Sequence, residues 1–396
     1  MVSGTKRKPT RREFVKAGVV SGGFLLSGLS EIPWPGPAQT HRSDVFAGGK
    51  QIGMVEFVHE GHVQMDLPLG AELDGRLYTD LSKLTSKDQI TPTERFYLRT
   101  RASKLLPQAK SWSIKVEGLA AESSSIAIAE LQKATKPMGT HLMECAGNVG
   151  FARFGMMSAA RWGGVALTSV LENAKMKALA THLLISGFDE YETESAGSVP
   201  GASWIFSHEE LKTAGAFLAT EMNDQALTVD HGAPVRLVVP GWYGCTCIKW
   251  VDAITLVADN AEATSQMKEY AARTHQSGVP ALASDYQPAI IDQAAMPIRV
   301  EKWLVSGKIK YRVVGIAWGG SRPVNLLQIR FSPEEDYVRV DEFEQLQNDP
   351  WTLWSHAWSP REPGIYTIRL AVKEPPIRAR RLESGYYVRS VEITEV

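Results

Sequence analysis

Thr140-His141-Leu142-Met143-Glu144-Cys145-Ala146-Gly147-Asn148-Val149-Gly150 is a short apolar strand running into a turn of small residues, with one cysteine at the corner. Small residues on both sides let a bulky group approach the sulfur closely. As a thiolate, Cys145 is a metal ligand or a nucleophile; as a thiol it is neither. Free cysteine is also a common buried packing residue, so the local pattern alone leaves both roles open. The rest of the chain decides between them.

The chain has 396 residues, which implies two folded domains plus an N-terminal extension. A hydrophobic content of 44% and a charged content of 22% belong to a globular protein. With a net charge of -1, no bulk field favours nucleic acid or an anionic membrane. Three cysteines cannot build a disulfide framework. The extension carries Thr10-Arg11-Arg12-Glu13-Phe14-Val15-Lys16, then a mild apolar run from Ala17 to Leu29 and a Pro-rich stretch. Paired arginines ahead of such a run resemble a twin-arginine export signal, which predicts a periplasmic protein. The run is shorter than the roughly 20 residues of a membrane span, and no later stretch is longer, so no membrane span is expected in the mature protein.

Working outward from Cys145, the segment from Ile90 to Arg101 alternates and predicts a strand with Arg99 and Arg101 on one face, a pairing that suits an oxyanion or phosphate. A solvated basic face is the competing reading of that pattern. Strands are predicted at Ser111–Leu119 and His182–Gly187, and helices at Ile126–Ala134, after Arg161–Val165, and at Ser207–Phe217. In the block Asp230–Val251, two buried strands flank a Pro-Gly turn, and His231, Arg236 and Lys249 stand beside apolar residues. Polar groups there need partners, and an anion would satisfy all three. Cys245 and Cys247 lack disulfide or zinc spacing and read as packing residues. Residues 41–88 read as an extended leading segment lying on the main domain. After a Pro-containing linker near Ala283–Pro297, short alternating strands with turn signals predict a β-sandwich, with Trp351, Trp354 and Trp358 over one sheet.

Together these blocks resemble the sulfite oxidase family of molybdopterin enzymes. The resemblance rests on Cys145 to Asn148, Arg161-Trp162, the run His231 to Arg236, Val238 to Gly241, Ile248 to Trp250, and Gly315 to Gly320. It implies an α+β fold: residues 1–40 as signal and linker, 41–285 as a mixed α/β molybdopterin-binding domain, and 286–396 as an all-β immunoglobulin-like dimerisation sandwich. It implies that Cys145 binds molybdenum beside the cofactor's two dithiolene sulfurs. By the same resemblance, Tyr97, Leu98, Arg99, Thr100, Arg101, Asp189, His231, Arg236, Cys247, Ile248 and Lys249 hold the molybdopterin cofactor. Arg99 also falls beside the metal's oxo ligand, and Tyr270 matches the family's tyrosine near the metal.

Vertebrate members carry two arginines where this chain has Val149 and Gly150, so the resemblance implies a retained cofactor site and an altered substrate pocket. Bacterial sulfane dehydrogenase subunits also lack that pair. The implied activity is oxygen-atom transfer with a two-electron redox change on a small, sulfur-containing substrate. A reductase running the same chemistry backwards, and a cofactor-less binding or assembly protein of the same fold, are the alternatives. No Cys-x-x-Cys-His motif is present, so electrons are expected to pass to a separate carrier such as a cytochrome c. A homodimer is expected from the sandwich.

Overall fold

Strands dominate the computed structural model, which describes residues 44–396 apart from 88, 173, 196, 347 and 348. The twin-arginine segment lies outside the described residues. The strand that delivers Cys145, Lys136–Glu144, pairs antiparallel with Met157–Ala166. That strand pairs with Phe217–Met222, which also takes Gln225–Ala226 and Arg236–Val238. A second sheet runs Ser124–Ala127, Ser113–Gly118, Val251–Val257, His182–Gly187 and Ser203–Ser207, and only its Ser113–Gly118 and Val251–Val257 pair is parallel.

Among the described residues α-helices are few and short: Ile128–Ala134, Leu167–Leu171, His208–Ala214, Ser265–Tyr270 and Arg380–Glu383. The helix predicted from Ser207 forms with that serine as its cap. Ser207 accepts the Glu210 N–H, the Glu210 carboxylate accepts the Ser207 N–H, and Gly215 ends the helix in the left-handed region. The helix predicted after Arg161–Val165 forms as Leu167–Leu171, and Arg161 and Trp162 lie ahead of it within the Met157–Ala166 strand. Among the described residues no helix is long and apolar enough to cross a membrane.

The strand predicted over Ile90–Arg101 does not form. Pro92 opens a 3-10 turn at Thr93–Arg95, and only Leu98 bridges to Leu77. The backbone donors go elsewhere: the Tyr97 N–H to Ser158 Oγ at 3.0 Å and the Arg101 N–H to the Glu72 carbonyl at 2.9 Å. Arg99 and Arg101 consequently do not share a strand face.

In the C-terminal part, Ala294–Val305, Lys308–Trp318 and Thr352–Trp358 form one antiparallel sheet. Val338–Arg339, Leu327–Arg330, Gly364–Val372 and Arg389–Ile393 belong to another. Val300, Val313, Trp354, Ile329, Leu370 and Val391 from the two sheets share one apolar core. The leading segment does not simply lie on the main domain. Lys50–Val55 extends the first of these sheets against Ala294–Val305, and Phe57–Val58 extends the second against Arg389–Ile393. Each supplies backbone partners to an otherwise open edge. Trp354 and Trp358 pack in this core, but Trp351 belongs to the larger core of the cysteine-bearing part. Trp354 lies so close to Gly315 that any side chain there would overlap the indole.

Candidate functional site

Cys145 leaves its strand at a turn fixed from several sides. Its N–H donates to the Met156 carbonyl at 2.9 Å, and its own carbonyl accepts from the Asn148 N–H at 2.9 Å. The buried Asn148 side chain accepts from the Met156 N–H at 3.1 Å and donates to Glu144 at 3.4 Å. The thiol is buried, and the Gly147 N–H points at Sγ from 3.4 Å. Burial pushes the Cys145 pKa up, while the Gly147 N–H, then Arg99, pull it down.

Glu144 was not singled out by sequence, yet it anchors this turn. Its carboxylate is fully buried and accepts from Trp318 Nε1 at 2.9 Å and the Tyr387 hydroxyl at 3.0 Å, with Arg381 at 3.8 Å. Burial raises its pKa, and Arg381 then these donors oppose the rise. Apart from Asn148, its partners come from the C-terminal part of the chain, so no local pattern announces them.

Cys145 opens onto a cleft of about 130 Å³. Of the residues identified by sequence, Tyr97, Arg99, Thr100, Asp189, Cys247, Ile248, Lys249 and Tyr270 line it with Cys145. Tyr191, Ser198 and Gln266 also line it and were missed. Arg99 donates to Ser198 Oγ at 3.3 Å, and Arg76, also missed, donates to the Arg99 carbonyl at 2.6 Å. Gly244 lets the Tyr97 hydroxyl lie against the backbone beside Cys245, where a side chain would collide with it. Burial pushes the Tyr270 pKa far up, with Cys145 adding to the rise.

Leu98, Arg101, His231 and Arg236 do not reach the cleft wall. Leu98 is a core residue. Arg101 pairs with Asp230 at 3.0 Å. His231 is held by Thr228 at 2.7 Å and the Phe96 carbonyl at 3.2 Å, and burial lowers its pKa to about 4. Arg236 is buried, donating to the carbonyls of His231 and Cys247, each at 3.1 Å, over the Trp162 ring. An anion shared by His231, Arg236 and Lys249 is therefore not required, because the first two have protein partners.

Lys249 is the exception. Its ammonium donates to the backbone carbonyls of Thr100 and Asp230 and has no carboxylate of its own, since the Asp230 carboxylate takes Arg101 and the Ala102 N–H. Burial, then Arg236, push its pKa well down. A phosphate in the cleft would reverse that penalty. Asp189, with its carboxylate accepting from the Ala202 N–H at 3.0 Å, offers an acceptor to a heterocycle's amino edge. Among the described residues no three His, Cys, Asp or Glu side chains cluster as a metal site. Cys145 thus offers one soft thiolate, which suits a metal already held by sulfur ligands of a cofactor. These donors fit molybdopterin.

Residues 103–265 match the family model for the oxidoreductase molybdopterin binding domain. The mitochondrial sulfite oxidase of Macaca fascicularis is 26% identical over 77% of this chain and 58% of its own length. Sulfite oxidase of Gallus gallus is 28% identical over 81% of this chain and 72% of its own length. The chain therefore spans little more than half the length of the macaque relative. A chain of the sulfane dehydrogenase SoxCD from Paracoccus pantotrophus shares the fold, with a TM-score of 0.59, 17% identity, and coverage of 92% of this chain and 96% of that one. Fold, site and relatives define a molybdopterin-dependent oxidoreductase. Along most of its length the chain is similar to the sulfite oxidases.

Proposed function

We propose that this chain is a periplasmic oxygen-atom-transfer enzyme that acts on a small sulfur compound and passes electrons to a separate carrier such as a cytochrome c. The observation that carries the reading is Cys145, a buried thiol held at a fixed turn on the wall of a cleft shared with Arg99 and Lys249. Molybdopterin, when bound, supplies a metal that exchanges two electrons and an oxygen atom. The protein's part is positional and electrostatic. Asn148 and Glu144 hold the turn so that Cys145 faces the cleft. Lys249 offsets phosphate charge, and Arg99 stands beside the sulfur to stabilise negative charge on a reacting oxygen. Tyr270, kept protonated by its raised pKa, can donate a hydrogen bond there.

The paired arginines near the N-terminus support twin-arginine export. The two facing C-terminal sheets support an immunoglobulin-like sandwich that pairs with a second copy. The test is a redox substrate panel with cofactor-loaded protein, in both directions. Oxidation of a sulfur compound by wild type but not by Cys145→Ser supports the reading, and equal activity of the two refutes it.

A further inference from the structure

Beyond the cofactor cleft, a second and wider cleft opens on the Ala146–Gly147 side of the Cys145 turn. Arg99 lines both, so a molecule in the second cleft lies next to the sulfur-bearing turn. Its volume is about 460 Å³. A bare inorganic oxyanion would leave part of this space unfilled.

The lining divides into a basic and an apolar part. Arg99, Arg273, His275 and Arg381 are the basic groups, and among the described residues lining the cleft none is acidic. Arg381 is buried; its Nη2 donates to the carbonyls of Ala146 at 2.7 Å and Arg273 at 2.9 Å, and its Nη1 lies 3.8 Å from the Glu144 carboxylate. Arg273 is different. Its side chain is exposed, sits over the Tyr270 ring at 5.3 Å, and reaches within 3.7 Å of where a side chain on Gly147 would begin. A guanidinium so placed sets a positive charge at the turn, where Val149 and Gly150 bring none. The apolar part includes Val149, 39% exposed, and Tyr386, 37% exposed.

We infer that this cleft binds an organic sulfur oxyanion, a charged sulfinate- or sulfonate-type head carrying an apolar arm. Arg273 and Arg99 hold the head, and Val149 and Tyr386 lie against the arm. Arg273 is then the residue that sets the substrate class. The inference deepens the function proposed above and rests on it for the chemistry, but recognition belongs to side chains of this chain alone.

The test compares sulfate with benzenesulfonate, two unreactive probes, by titration calorimetry of the full cofactor-loaded chain at fixed ionic strength. Benzenesulfonate is expected to bind at least tenfold tighter than sulfate. Arg273→Gln should weaken benzenesulfonate about tenfold, with Arg273→Lys recovering part of the loss. Val149→Ser should weaken benzenesulfonate and leave sulfate unchanged. Sulfate binding as tightly as benzenesulfonate, or an Arg273→Gln variant indistinguishable from wild type, overturns the inference. Pterin content of the same samples separates the two readings. Protein that holds pterin but prefers sulfate refutes only this inference, whereas protein without pterin refutes the proposed function and still reports on the cleft through the same titration.

Discussion

Replacing Glu144 with leucine should destabilise the protein by about 5 kcal/mol. The carboxylate is fully buried, so its donors have no solvent to turn to. Trp318 Nε1 and the Tyr387 hydroxyl would each lose an acceptor, and a stranded buried donor costs about 1–3 kcal/mol. Arg381, 3.8 Å away, would keep its carbonyl acceptors but lose its carboxylate, and breaking a buried ion pair typically costs about 3–5 kcal/mol. These losses share partners and are not additive, which brings the total to about 5 kcal/mol. Glu144→Gln keeps one acceptor oxygen and the side-chain shape, and about 2 kcal/mol is expected. Urea unfolding followed by tryptophan fluorescence measures both, since Trp318 contacts the substituted group. A leucine variant as stable as the glutamine variant would refute the reasoning, because the buried donors would then have found other partners.

Acid should weaken the fold through His231. The unfolded chain takes up its proton near the ordinary pKa of 6.5, but the folded chain does so only near pH 4. Its contribution is therefore fully present above 6.5 and is lost as pH falls through that window, by about 3 kcal/mol at its lower end. Comparing unfolding free energies of wild type and His231→Gln from pH 7 to pH 4 checks this, and parallel curves would contradict it. Lys249→Met should cut pterin retention severalfold while leaving the unfolding free energy of the pterin-free protein within about 1 kcal/mol, because the buried ammonium has carbonyls and the Trp250 ring but no carboxylate as partners. Pterin fluorescence after release, with urea unfolding beside it, measures both, and undiminished pterin would rule Lys249 out as an anchor.

The Cys145 turn was legible because a strand ending in small residues has a local signature, and the His208–Ala214 helix because Ser207 and Glu210 stand at capping-box spacing. Lys249 was legible as a cation beside apolar residues, Asp189 and Tyr270 came from the family resemblance, and the structure brings all three to one cleft with Cys145. Glu144 was not legible. Its partners Trp318 and Tyr387 lie 174 and 243 residues away, and nothing local marks a carboxylate that will be buried among them. Arg273 escaped for a similar reason, since its place beside the Gly147 turn depends on how the chain returns. Residues 50–58 looked like a featureless lead because the edges they complete are supplied by strands some 240–330 residues later. Alternation misassigned Ile90–Arg101 because it reports which side chains suit burial and not where the backbone donors go, here to Ser158 Oγ and the Glu72 carbonyl.

X-ray absorption at the molybdenum edge, on wild type and Cys145→Ser protein produced with the cofactor, interrogates the sulfur–metal bond itself. A shell with one sulfur fewer in the variant is the expected result. Wild-type protein with an identical sulfur shell, or with no molybdenum, would contradict it.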